Sequence, residues 1–339
     1  MKAEVQGVDI HLEVSFGKDP AEGPKLVREA VERLARANFN FLRPFVVETR
    51  CQAAYDSEFL PVRLCPGWDP LRVIVEEAHA RGMEVHPFLC LVSQGGDEPG
   101  PVLREHPEWA LVDRTGNPIG WGNPAHPEFR KFVAGIAGEV ASKYDVDGIS
   151  LDYTRYPSAD IGLSDYDRVA FREELGEDPE KASEDALRRW RMEALAQLVR
   201  EVRDAVRSAK PGCVLSAYVW TVRDPEVCLR DWVAWVREGL LDAVNPTGYR
   251  YDYDLYSSWC RESVRATREA KDGVPIFVNI GVRTSHGALE GPEEVVRWAE
   301  GAREAGADGM SFFTLKSLSP WLEEVARKIF PERAGLPWT

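Results

Sequence analysis

Apolar and polar positions follow one repeating grammar along this chain. An amphipathic helical stretch is followed by a Gly or Asn stop, then by a short run of β-branched and aromatic residues. DPLRVIVEEAHARGMEVHPFLCL is the clearest instance. Asp69 suits an N-cap, Pro70 the first helical position, and Gly82 a left-handed C-terminal position. Residues 83–91 then read as a buried strand. The phrase recurs in GPKLVREAVERLARANFNFLRPFVVET and GPEEVVRWAEGAREAGADGMSFFTL. The pattern predicts strands near 8–16, 40–48, 83–91, 146–152, 213–220, 241–246, 274–281 and 307–314. It predicts helices near 24–37, 69–81, 127–143, 185–208, 228–238, 257–271, 291–305 and 319–329. Eight strands, each followed by a helix, is the count of a (β/α)8 TIM barrel. HLEVSFGKDP lacks the GxGxxG of a dinucleotide-binding sheet. No linker or compositional break interrupts the pattern, so residues 1–339 are expected to form a single barrel domain.

Two connections stand out by length. The segments after strands three and four span about 92–126 and 153–184. Both exceed ordinary connectors and fall at the C-terminal face, where barrel enzymes place their chemistry. WALVDRTGNPIGWGNP in the first predicts a hairpin. Its Trp109 and Trp121 suit either a small core under the loop or stacking surfaces for sugar rings.

Composition narrows the partners. The chain is 44% apolar and 10% aromatic, which permits a large core. Fifty-six acids against 42 bases give a formal charge of −14, which disfavours nucleic acid and anionic membrane surfaces as partners. No apolar run approaches bilayer length, so membrane insertion is not expected. MKAEVQGVDIHLEVSF lacks the long uninterrupted apolar stretch expected of a secretion leader. As it stands the sequence reads as cytoplasmic, or as exported if a leader has been removed. Six cysteines without a CxxC pair are expected to be reduced and packed, a Cys51–Cys65 bridge being the exception open to an exported protein.

The richest segment is YDVDGISLDYTRYP. Ile149 and Leu151 alternate with Ser150 and Asp152, leaving Asp152 at the strand's tip, facing the mouth. Here the chain resembles the bacterial glycoside-hydrolase-like family ten. The resemblance is carried by RPFVVETRCQAAYDS, DPLRVIVEEAHARGMEVHPF, HPEWALVD, WGNPAHPEFRKFV, DVDGISLDYTRYP, RRWRMEALAQLVREVR, LLDAVNPTGY and DGMSFFTLKSL, spanning roughly 35 to 318. It implies a TIM barrel and a polysaccharide or oligosaccharide substrate, without naming the sugar. Against the chitinase pattern DxxDxDxE, Asp147 fills the first position, but Thr154 stands at the acid. The α-amylase pattern DGxRxD is similar at Asp147, Gly148 and Asp152, with Ser150 in place of its arginine. That likeness makes Asp152 the nucleophile or the stabiliser of an oxocarbenium-like transition state.

Glycoside hydrolysis ordinarily needs a second carboxyl group. Candidates beside strand ends are Glu13, Glu48, Asp252 and Asp254, with Glu48 and Asp254 foremost as acid/base; Glu48 stands where the family often carries a basic residue. Arg50, His86, Trp121, Arg155, Tyr156, Trp220, Asn245, Tyr249 and Asn279, together with Glu13, supply hydrogen-bonding groups and flat faces for a glycan. No cofactor is expected. Two other readings remain open on the residues alone: a carbohydrate-binding barrel without catalysis, and a metal-dependent hydrolase using His11, Glu13 and His86. Barrels also commonly pair, which leaves a homo-oligomer open.

Overall fold

A computed structural model describes residues 3–338. Strand alternation sorts the side chains into two populations. In β1 (Val5–His11), Val8 and Ile10 pack outward with Val27, Val31 and Leu34 of α1 (Gly23–Arg36), whereas Asp9 and His11 turn inward. The same two-residue period runs through β2 (Phe41–Glu48), β3 (Phe88–Cys90), β4 (Gly148–Asp152) and β5 (Val214–Val219). It continues in β6 (Ala243–Pro246), β7 (Val278–Gly281) and β8 (Gly309–Phe313). All pair in parallel, in the order β6-β5-β4-β3-β2-β1-β8-β7. Isolated bridges, Val244 to Ile276 and Thr247 to Asn279, hold the seam between β6 and β7. The molecule is therefore the expected TIM barrel.

Helices cover the outside: α2 (Pro70–His79), α3 (Pro127–Lys143), α4 (Glu184–Ala209), α5 (Trp232–Arg237), α6 (Tyr253–Ala270), α7 (Pro292–Glu304) and α8 (Leu322–Ile329). Asp69 caps α2 by accepting the Arg72 amide at 3.0 Å, and Gly82 beyond it has φ 66°. Several boundaries depart from the sequence pattern: the strand expected over 83–91 is interrupted between Glu84–Val85 and Phe88–Cys90, the helix expected from 257 starts at Tyr253, and the first strand is cut short. The first strand ends at His11, and Leu12–Phe16 is a helical turn. Leu12 and Phe16 are buried while Val14 between them is exposed: one helical face holds the i,i+4 pair and turns Val14 away, whereas a strand would put all three on one side.

The long connections have structure of their own. Ser93–Gly96, Ala110–Val112 and Pro118–Gly122 form a three-stranded antiparallel sheet above β3. Residues 153–184 contain the helix Asp165–Leu175, started by a capping box between Ser164 and Asp167. At the opposite end the barrel is plugged. A Cβ on Gly7 would meet Phe41 at 2.8 Å, and one on Gly148 would meet His86 Nδ1 at 2.3 Å, so these glycines make room for those rings. Leu336 and Trp338 pack beneath Phe41 and Phe277.

All six cysteines are buried and free. The bridge considered between Cys51 and Cys65 is not formed: Cys51 Sγ lies 3.2 Å from the Gln94 carbonyl oxygen, Cys65 Sγ 3.7 Å from that of Gly17. Among the described residues no helix is long and apolar enough to cross a membrane.

Candidate active site

Inward side chains stack in layers up the barrel, and polarity changes from layer to layer. Beneath the mouth lies a wholly buried polar layer. Arg43 donates from Nε to Asp9 Oδ1 at 2.8 Å and from Nη2 to Ser311 Oγ at 2.8 Å, and it also bonds Asn245. Asn279 Nδ2 donates to Asp9 Oδ2 at 2.7 Å, and the Arg43 guanidinium sits 4.0 Å from the Phe88 ring centre. Burial drives the Asp9 carboxyl above its ordinary range, opposed by the Arg43 charge and the Asn279 hydrogen bond.

The layer above opens into a cleft of about 820 Å³ at the C-terminal ends of the strands. Asp152 lies at its floor and is only 8% exposed. Tyr153, at φ 48°, turns its amide back to donate to Asp152 Oδ1 at 2.7 Å. Cys90 Sγ lies 3.8 Å from the other oxygen. Burial pushes the Asp152 carboxyl up to about 6; the Tyr153 amide and the charges of Arg155, Arg230 and Arg43 pull the other way without prevailing.

Glu48 ends β2 and also lines the cleft. Its Oε1 is 2.8 Å from His11 Nδ1. The His11 ring is stacked on Phe45 at 4.1 Å and meets Phe313 edge-on at 5.6 Å, so the imidazole is held on two sides. β2 and β4 flank β3, and two strand spacings put their axes about 10 Å apart. Both carboxylates act electrostatically on the Cys90 thiol and the Tyr153 phenol between them.

Aromatic rings and arginines make the walls. Arg155 lies 4.4 Å from the ring centre of Trp220, 4.8 Å from that of Trp121 and 5.3 Å from that of Tyr153. Tyr249 lines the cleft opposite. Trp220 is placed by a buried pair behind it: Asp224 accepts the Trp220 and Thr221 amides at 3.0 and 2.9 Å, and Arg230 Nε binds Asp224 Oδ2 at 2.7 Å.

The residues anticipated from sequence divide accordingly. Asp152, Glu48, Arg155, Trp220 and Tyr249 meet at the cleft, and Trp121 stands behind Arg155. Asn245 and Asn279 belong to the sealed layer below. His86 lies at the plugged end, bonded to Glu84 at 3.0 Å and tilted against Trp338. Tyr156 is fully buried, and Arg50 is exposed on the turn after β2, outside the cleft. Glu13 rides the Leu12–Phe16 turn and pairs with Lys18. Asp252 caps α6 by accepting the Leu255 amide, and Asp254 is exposed in that helix's first turn, where a carboxylate favours the helix dipole. The metal reading loses its ligand set, because His11 and His86 lie at opposite ends of the barrel. Among the described residues no group of three or more His, Cys, Asp or Glu side chains is placed to hold an ion.

Sequence reasoning missed Phe45, Cys90, Tyr218, Thr247 and Phe313, which share the cleft with Asp152. Register would have found them. With Asp152 turned inward, its lateral partner Cys90 on β3 turns inward too, and Phe45 pairs with His11 in the same way.

A parallel eight-stranded barrel with carboxylates, tryptophans and tyrosines at its C-terminal mouth makes this protein a TIM barrel with a polar, aromatic-walled cleft. The chain belongs to the glycosyl hydrolase-like 10 family, whose model matches residues 11–288. It is 30% identical over 243 residues to the glycosyl hydrolase DigH of Escherichia coli strain K12, covering 60% of this chain and 52% of DigH. It is 28% identical over 231 residues to the glycosyl hydrolase YngK of Bacillus subtilis, covering 59% and 44% respectively. The chain thus spans about half the length of the curated relatives it matches. In three dimensions it is similar to the PgaB (BpsB) glycoside hydrolase domain from Bordetella bronchiseptica, with a TM-score of 0.77, 14% identity, and coverage of 96% of this chain and 99% of that one. It is also similar to a catalytic mutant of Gan42B, a GH42 β-galactosidase from G. stearothermophilus, with a TM-score of 0.70, 10% identity, and coverage of 96% and 56%. At such identities the solved structures speak for the fold.

Proposed function

We propose that this protein hydrolyses glycosidic bonds in a glycan, with Asp152 as proton donor and Glu48 as the second carboxylate. The observation that carries the reading is a carboxyl at the floor of an open cleft that keeps its proton up to about pH 6. A nucleophile should be ionised, whereas a general acid must arrive protonated, so this reading gives Asp152 the acid's part instead of the attacking one its strand position suggested. Asp152 passes its proton to the bridging oxygen as the bond to the anomeric carbon breaks. Glu48, oriented by His11, faces the positive charge that develops on the ring and either deprotonates a water or bonds the anomeric carbon. Carboxyl separation in the substrate complex selects between them, about 6.5–9.5 Å for inversion and about 5–5.5 Å for retention. Trp220 and Tyr249 offer flat faces for the sugar rings.

The test is reducing-end release from a panel of polysaccharides. Asp152→Asn and Glu48→Gln are each expected to lower turnover by about 10²–10⁴-fold with binding largely retained. Turnover in the wild type is expected to fall as pH rises past about 6, where Asp152 loses its proton. Near-native turnover by Asp152→Asn would overturn the assignment. Saturable binding with no release from any glycan would favour a binding barrel.

A further inference from the structure

Arg155 is a cation without an anion. Its guanidinium is caged by Trp121, Tyr153 and Trp220, and Nη1 is committed to the carbonyls of Tyr156 at 2.9 Å and Pro157 at 3.3 Å. Its Nε and Nη2 find no acceptor among the described residues, and neither is sealed from solvent, so they face the cleft. Among the described residues no carboxylate stands within ion-pair distance, although Asp152 and Arg230 are near enough to be felt electrostatically. Burial weakens its hold on its proton, and repulsion from Arg230 adds to that. Buried charges in proteins are ordinarily paired, because desolvation costs several kcal/mol per ion (order of magnitude). Arg230 obeys the rule through Asp224 at 2.7 Å; Arg155, one shell nearer the substrate space, does not.

The rim extends this imbalance. Arg250 lies over Trp259 at 4.2 Å, again with no carboxylate partner among the described residues, and Arg223 lines the same wall, paired with Glu226. On a chain carrying −14 overall, the cleft lining sets three arginines against three carboxyls, Glu48, Asp152 and Asp224, and of those arginines Arg155 and Arg250 have no carboxylate partner among the described residues. A neutral sugar would leave those guanidinium charges without a counter-ion. A carboxylate would match the free edge of a guanidinium with two parallel hydrogen bonds, and aromatic walls on either side would exclude competing water.

Building on the glycan reading of the cleft, we propose that its substrate is an acidic glycan, and that Arg155 forms a subsite for a sugar-borne carboxylate, with Arg250 drawing the chain in at the rim. Arg155 is then a specificity residue, distinct in task from Asp152 and Glu48.

The experiment compares matched pairs of oligosaccharides by calorimetry at low salt: oligogalacturonate, oligoglucuronate, hyaluronan fragments and muramic-acid-containing oligomers, each against its methyl-esterified or carboxyl-reduced form. At least one acidic form is expected to bind tenfold or more tighter than its neutral partner. Arg155→Gln should erase that preference, and Arg155→Lys should keep part of it. Because Arg155 also anchors its own loop, Arg250→Gln, at an exposed position, serves as a second variant and is expected to weaken acidic forms several-fold while sparing neutral ones. Equal binding within every pair, tighter binding of the neutral forms, or no binding by any acidic form would overturn the proposal. So would a stronger preference for sulfated chains of the same backbone. Binding needs no turnover, so loss of the hydrolase reading would leave this result standing, and hydrolysis confined to neutral glycans would remove only this inference.

Discussion

A carboxyl at the tip of a barrel strand exchanges hydration for position, and at Asp152 the exchange has a measurable size. Its proton affinity rises from an ordinary value of 3.8 to about 6 because burial outweighs the Tyr153 amide and three nearby arginines. An acid with a raised folded value contributes stability that is fully present below pH 3.8 and lost as pH rises to about 6. The penalty above that range is about 3 kcal/mol. Asp152→Asn removes the charge but keeps the shape, so it should melt a few degrees above the wild type at pH 8 and nearly with it at pH 4. Thermal scans at the two pH values check this; an equal offset at both would mean the gain has nothing to do with ionisation. Much of the cleft was legible residue by residue, since Asp152, Arg155 and Trp220 fall where alternating runs end. His86, Asn245 and Asn279 were not legible in this sense. Their inward direction follows from alternation, but their depth depends on the stagger between strands, and no single strand's sequence carries that.

Between strands, the polar layer beneath the cleft joins what the sheet alone leaves separate. Arg43 on β2 reaches Asp9 on β1, Asn245 on β6 and Ser311 on β8, while Asn279 on β7 closes the circuit on Asp9. The circuit spans the seam where β6 and β7 share only isolated bridges. Asp9→Ala leaves the Arg43 guanidinium buried without a counter-charge and should cost about 3–5 kcal/mol in urea unfolding. A loss under about 1 kcal/mol would mean that water or a shifted partner takes over the charge. Helices and strands of the barrel were readable from periodicity and caps, as at Asp69 and Gly82. Short elements were not. HLEVSF satisfies strand alternation and a helical turn about equally, and only the exposure of Val14 between the buried Leu12 and Phe16 decides between them. Asp252 and Asp254 read as cleft carboxylates because they follow strand six, yet their offset also suits a helix start, and α6 uses them there.

Across the whole molecule the two ends of the barrel have divided tasks. The mouth keeps charges partly uncompensated, while the opposite end is closed by glycines that admit Phe41 and His86 and by the chain's closing residues folding under them. Trp338 packs on Phe41, Phe277 and His86, and its indole donates to Glu84 Oε2 at 2.8 Å, the same oxygen that receives His86. This seal joins residues separated by 254 positions, so helix-and-strand grammar could not announce it. It lies below the polar layer, which itself lies below Asp152. Trp338→Ala should therefore act on stability alone. A half-buried indole removed from that floor should cost roughly 2 kcal/mol, less than a fully buried one. The urea midpoint should fall with an unchanged slope. Glycan affinity and the pH dependence of turnover should stay at wild-type values, because the Arg43–Asp9 circuit stands between the seal and the cleft. If either moves with Trp338, strain at the floor reaches Asp152 through that circuit, and a Trp338→Ala, Asp9→Asn double variant should show the coupling as non-additive effects.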